Sequence, residues 1–258
     1  MKMRWFAGLA FGLLAAGCAG PKGNGVFQTS TIDALLAGTY DGDLALRELG
    51  RYGDFGIGTF DNLDGEMVLL DGTFHQVKAD GRVYAPSLDV ETPFAAVCWF
   101  RPMPGTAVPM GADMEGVEAM IDGLAPSQNY FQAIRIDGHF KRVRTRSVPA
   151  QERPYPPLKD VAAKQPVFER ENVAGTIVGF RCPPYVAGVN VPGYHLHFLS
   201  QDRSFGGHVL AFEIQTGHAQ VAELDEFAMR LPRTADFAGV DLTRNRQQEL
   251  KGVEKEKK

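Results

Sequence analysis

"FGIGTFDNLDGEMVLLDGTFHQVKADGRVYAP", residues 55–86, is a series of short apolar runs broken by three Asp-Gly pairs. An Asp-Gly pair between β-prone runs signals a tight hairpin, because its central residues must take a positive φ that glycine adopts without strain. The spacing predicts strands near 55–61, 66–70, 73–79 and 82–84, too short for helices and joined as antiparallel neighbours. Before this stretch, "TSTIDALLAG" (29–38) reads as a helix capped by Ser30 or Thr31 and stopped at Gly38. "DGDLALRELGRYG" (41–53) reads as a second short helix ending at Gly50 or Gly53.

After it, "TPFAAVCWFRP" adds a strand and "GVEAMIDGL" a helix, while "QNYFQAIRIDGHFKRVRTRSV" (128–148) predicts two strands around an Asp137-Gly138 turn. The proline- and charge-rich segment 148–166 is the best internal boundary. Beyond it, "FERENVAGTIVGFRCPPYV", "GYHLHFLS", "GHVLAFEIQTG" and "HAQVAELDEFAMRLP" predict further strands, and "RNRQQELKGVEKEKK" a charged, helix-prone end. The expected fold is α+β: two β-rich halves, 26–150 and 151–258, with mostly antiparallel sheets and a few short helices sharing one core.

The 258 residues carry a net charge of −4, with 44% hydrophobic and 22% charged residues. That composition suits a globular domain with a real core and gives no electrostatic case for nucleic acid. The N-terminus "MKMRWFAGLAFGLLAAGCAG" reads as a secretory signal over 1–17: basic start, short apolar run, small residues. "LLAAGC" resembles a bacterial lipobox, which implies a lipid on Cys18, a membrane contact through that lipid alone, and 18–25 as a tether. Without lipidation the chain would be periplasmic or secreted. Cys98 and Cys182 have no metal-type spacing; in an exported chain they could pair or remain buried thiols.

Half of the six histidines lie in "GYHLHFLSQDRSFGGHVLAF", residues 193–212. Alternate residues of a strand share a face, so His195 and His197 project together. "SQDRSFG" supplies a turn, and a returning hairpin can bring His208 across the ladder, where opposed Cβ atoms are ~5 Å apart. Three imidazoles without a thiolate suit Zn²⁺ with open positions, although Cu, Fe and Ni also take imidazole. His75, His139 and His218 are isolated and read as ordinary side chains.

This segment resembles the metal-binding segment of bacterial α-acetolactate decarboxylases. So do "STIDALLAGTYDGD", "GDFGIGTFDNLDGEMVLLDG", "IRIDGHFKRVRTRSVP", "GTIVGFRCPPYVAGVNVPGYHLHF" and "GGHVL", in family order over residues 27–254. The resemblance implies decarboxylation of 2-acetolactate to acetoin and CO₂, zinc on His195, His197 and His208, and a homodimer. It also implies that Glu66, Arg146 and Glu254 are catalytic, and that Thr59 and Arg146 line the substrate site. Glu249 and Glu256 are neighbouring alternatives to Glu254, and strand alternation puts Arg142, Arg144 and Arg146 on one side. HxH on strands also fits a cupin-like dioxygenase or isomerase, or a surface lipoprotein that binds metal or a small ligand without turnover.

Overall fold

The computed structural model describes residues 23–125 and 127–254. The expected signal, Cys18 and Glu256 lie outside the described residues. In chain order the elements are β1 (Gly25–Thr29), α1 (Ile32–Leu36), β2 (Leu44–Ala45), α2 (Leu46–Leu49), β3 (Phe55–Thr59), β4 (Glu66–Leu70), β5 (Thr73–Val77), β6 (Val83–Tyr84), β7 (Glu91–Thr92), β8 (Ala95–Cys98) and β9 (Thr106–Val108). There follow α3 (Met114–Leu124), β10 (Phe131–Arg146), α4 (Leu158–Ala162), β11 (Val167–Cys182), β12 (Gly193–Ser200), β13 (Gly206–Leu224), β14 (Glu226–Arg230), α5 (Ala235–Gly239) and α6 (Gln247–Glu254).

The first sheet runs β14-β1-β8-β3-β4-β5-β6, antiparallel except for the parallel pairing of β14 with β1. The hairpins expected from the Asp-Gly pairs form at two places. Asp71 and Gly72 take φ of 51° and 76° between β4 and β5, and Gly81 takes 76° between β5 and β6. At the third pair, a six-residue connection joins Thr59 to its register partner Glu66. The second sheet runs β10-β11-β12-β13-β9, and β13 also pairs with β10, so that four long strands close into a ring. The two sheets exchange strands across the proline-rich segment: β10 precedes it and joins the second sheet, while β14 follows it and edges the first.

The turn expected at Asp137-Gly138 does not form: β10 runs through it without a break. The strand has a partner on each side, and Gly138 lies opposite Gly175 of β11 and Gly217 of β13. The Asp137 carboxylate accepts from Thr176 Oγ1 at 2.7 Å and Arg135 Nε at 2.7 Å, so it braces the sheet and not a reversal. Nor does Gly217 end a strand, since β13 continues to Leu224. A Cβ on Gly138 would sit 2.4 Å from the Thr216 carbonyl oxygen. Gly138→Val is therefore expected to destabilise the protein by about 2–4 kcal/mol, measured by urea unfolding, through steric conflict with backbone.

Strand alternation sets the core. Phe55, Ile57, Val68 and Leu70 of the first sheet pack against Val178, Phe180 and Leu199 of the second. Met67 and Leu69 point the other way, onto Leu44, Leu46 and Leu49 around α2. On β12, Leu196 and Phe198 enter the ring's own core, packed with Ile134, Phe140 and Phe212. That leaves Glu66 with Thr59, and His195 with His197, on the faces the two sheets turn towards each other. A third cluster gathers Ile32, Leu35 and Leu36 of α1, Leu158 and Val161 of α4, and Leu250 and Val253 of α6, so the last helix folds back over the site. Cys98 and Cys182 are buried free thiols.

Candidate active site

The imidazoles converge as the strand period requires. His195 and His197 alternate on β12, and His208 of β13 is the register partner of His197. Ring centroids are 5.1 Å apart for His195–His197, 5.0 Å for His195–His208 and 5.5 Å for His197–His208. Gly206 and Gly207 permit the close return: Gly207 has φ of +126°, and a Cβ there would lie 2.4 Å from the Arg146 carbonyl oxygen. Arg146 is the register partner of His208 on the neighbouring strand. One row across three strands thus holds His197, His208 and Arg146. The row separates the arginines that alternation alone leaves together. Arg142 is exposed and 3.9 Å from Glu169, whereas Arg146 is buried.

Both expected glutamates reach this row. Glu66 opens β4 after Gly65, whose φ of +87° makes the turn. Its Oε2 lies 3.6 Å from His197 Nε2. Glu254, the last described residue of α6, places Oε2 3.6 Å from His208 Nε2 and Oε1 4.0 Å from Arg146 Nη2. Arg146 Nη1 donates to the Val253 carbonyl, which ties α6 to the sheet. The alternative Glu249 instead pairs with Arg246 at 3.0 Å. Thr59 lines the cavity, but its hydroxyl donates to the Gly65 carbonyl at 2.7 Å, bracing the turn that delivers Glu66.

The electrostatics follow from burial. Desolvation pushes Glu66 and Glu254 up to about 7, against the pull of Arg146. Desolvation and the Arg146 charge lower His195 to about 3 and hold His197 and His208 well below their ordinary value, so all three imidazoles are neutral. A carboxyl raised on folding weakens the metal-stripped protein. Above the unfolded value near 4.5, the unfolded chain is ionised while the folded one must hold a proton or bury a charge. Glu66→Gln should therefore stabilise stripped protein by about 1–3 kcal/mol at pH 8 and by almost nothing near pH 4, read from denaturant melts at both pH values.

The residues fit a metal ion. One ligand atom from each histidine lies within 4.8 Å of the others. His197 Nδ1 donates to the Met67 carbonyl at 2.8 Å, which fixes the tautomer and leaves Nε2 as the lone-pair donor. That Nε2 is buried with no hydrogen-bond partner, an arrangement that is costly without a cation. The cavity in front encloses about 50 Å³ of free space, roughly four times what one water needs. It is walled by the apolar Ile32, Leu35, Leu63, Phe94 and Leu158 and by the polar Thr59, Glu66, Arg146, Gln165, His195, His208 and Glu254. Gln165, in "AAKQP", carried no signal in the sequence: a single amide between a short helix and a proline resembles any loop residue.

One small cavity thus brings together neutral imidazoles that can hold a cation, a buried guanidinium that can bind an anion, and two carboxyls that can carry a proton near neutral pH. The sequence model described as alpha-acetolactate decarboxylase matches residues 26–244. An alpha-acetolactate decarboxylase of Methanosarcina mazei is 50% identical over 230 residues, covering 89% of this chain and 80% of that protein. One from Methylococcus capsulatus is 45% identical, covering 91% and 90%. The crystal structure of alpha-acetolactate decarboxylase from Bacillus subtilis strain 168 superposes with a TM-score of 0.88 at 40% identity, covering 90% of this chain and 100% of that one. The chain belongs to the alpha-acetolactate decarboxylase family. It is an enzyme, a carboxy-lyase with acetolactate decarboxylase function. The dioxygenase, isomerase and non-catalytic expectations give way to this membership.

Proposed function

We propose that the decarboxylation of 2-acetolactate to acetoin and CO₂ depends on Zn²⁺ held by His195, His197 and His208. The observation that carries this is the buried, unpartnered Nε2 of His197 within a triad of neutral imidazoles. Bound there, zinc would supply a Lewis acid that favours negative charge on the substrate's ketone and hydroxyl oxygens. Arg146 has an Nε–H that is buried without a partner, and this donor holds the substrate carboxylate by a charge-assisted hydrogen bond until it departs as CO₂. The electron pair of the broken C–C bond moves into the ketone and leaves an enediolate. A carboxyl of the Glu66–Glu254 pair, kept partly protonated near neutral pH by burial, delivers a proton to the carbon that lost CO₂. The apolar walls take the two methyl groups and keep water from competing for that carbon.

The test is acetoin release from racemic acetolactate before and after chelation, with elemental analysis of the protein. Activity should vanish on stripping and return with Zn²⁺. Full activity in the metal-free protein, or iron or copper as the restoring ion, would overturn the zinc assignment.

We also propose export, with a lipid on Cys18, and a homodimer. The first is supported by the N-terminal sequence. The second is supported by β14, an edge strand with Phe227 and Met229 exposed. Detergent partitioning of wild type against Cys18→Ser and light scattering of the mature domain test the two in turn.

A further inference from the structure

The catalytic cavity and an open surface groove share three wall residues: Arg146, Gln165 and Val253. The outer groove is lined by Lys159, Gln248 and Glu249 among others. Gln165 therefore stands in the partition between solvent and the imidazoles. Its backbone is placed with little freedom. Pro166 follows it, and a proline disfavours helical φ/ψ in the residue before it; Gln165 lies between α4 and β11, in neither element. The Pro166 carbonyl accepts from Ser147 N at 3.4 Å, and Val167 is the register partner of Arg146. Gln165 is thus fixed beside the arginine by the end of the ladder.

Its side chain has an unanswered acceptor: Gln165 Oε1 is buried and has no hydrogen-bond partner. In the same cavity wall, Arg146 Nε is a buried donor without a partner. The two open valences differ in sign, and so do the substrate's polar groups. The carboxylate and ketone of 2-acetolactate only accept hydrogen bonds, and its sole donor is the hydroxyl on the carbon between them. We infer that Gln165 contacts the substrate and reads that hydroxyl, accepting its O–H at Oε1, and so selects 2-hydroxy-3-oxo acids over 3-oxo acids that lack the hydroxyl. A site that offers a buried acceptor to a substrate donor rejects the analogue without it, because the acceptor is then left desolvated and unpaired.

The inference rests on the acetolactate decarboxylase assignment, and its test does not need turnover. Binding of two stable analogues without the ketone, 2-hydroxy-2-methylbutanoate, whose one hydroxyl is the donor in question, and 2,2-dimethylbutanoate, which has none, is measured by calorimetry on the zinc-loaded wild type and on Gln165→Leu and Gln165→Asn. The wild type should prefer the 2-hydroxylated analogue by about tenfold to a hundredfold. Gln165→Leu should lose most of that preference by binding the hydroxylated analogue more weakly, with little change for the other, and kcat/KM for acetolactate should fall by about tenfold or more. Gln165→Asn, whose amide is one methylene short, should lose the preference too while keeping the melting temperature. An unchanged preference in Gln165→Leu overturns the proposal and leaves the amide oxygen to water. Wild-type acetoin release, measured on the same preparations, tests the decarboxylase assignment separately.

Discussion

His197→Ala is expected to lower acetoin formation by at least about a thousandfold while leaving the chain folded. His197 shares its strand with His195 and faces His208 across the ladder, and its Nε2 is buried without a hydrogen-bond partner, 3.6 Å from Glu66 Oε2. Its removal would leave two ligands for the proposed zinc, too few to hold an ion that would supply several kcal/mol of charge stabilisation at the transition state. The variant also frees the Met67 carbonyl from its bond to Nδ1, which should cost about 1–3 kcal/mol of stability. His197→Gln, which keeps a donor of similar reach, separates the two effects: stability should recover and activity should not. Turnover within tenfold of wild type in either variant would falsify the assignment of His197 as a ligand.

The second large effect is at Arg146. Lysine keeps the charge but replaces a planar five-donor fork with a point charge. In this site the fork is divided. Nη1 is committed to the Val253 carbonyl, Nη2 faces Glu254, and Nε alone remains open. Arg146→Lys cannot serve these three directions together. It is expected to lower kcat/KM by about a hundredfold to a thousandfold, the loss of roughly 3–4 kcal/mol of charge-assisted bonding. Protease sensitivity of the C-terminal helix should rise in parallel, because the tie from the sheet to α6 is lost. A variant with normal kcat/KM and a loosened α6 would reduce Arg146 to a brace for the helix.

Local periodicity was legible in the sequence wherever local chemistry decides structure. The Asp-Gly pairs at Asp71 and Asp80 made their turns, Thr31 capped its helix, and HxH in a strand put two imidazoles on one face. It misled at Asp137-Gly138, where the same dipeptide sits in a strand paired on both sides. There the glycine answers a close approach to Thr216 backbone and makes no turn. What could not be read locally depends on register between distant segments. That Arg146, and not Arg142, joins the histidines follows from its pairing with His208. That Glu254 reaches the site follows from the docking of α6 on α1 and α4, while Glu249 turns to Arg246. Gln165 was invisible for the same reason: only the folded wall shows an acceptor with nothing to accept.

The most direct test is a titration of Zn²⁺ into chelator-stripped enzyme at a fixed concentration of acetolactate, with acetoin release followed at each addition and the same titration run on a His195, His197 and His208 triple alanine variant. The rate should climb from near zero and break at one zinc per chain in the wild type, and stay flat in the variant. A substantial rate before any zinc is added, or a break at one zinc per chain in the variant, would contradict a decarboxylase built on those three imidazoles.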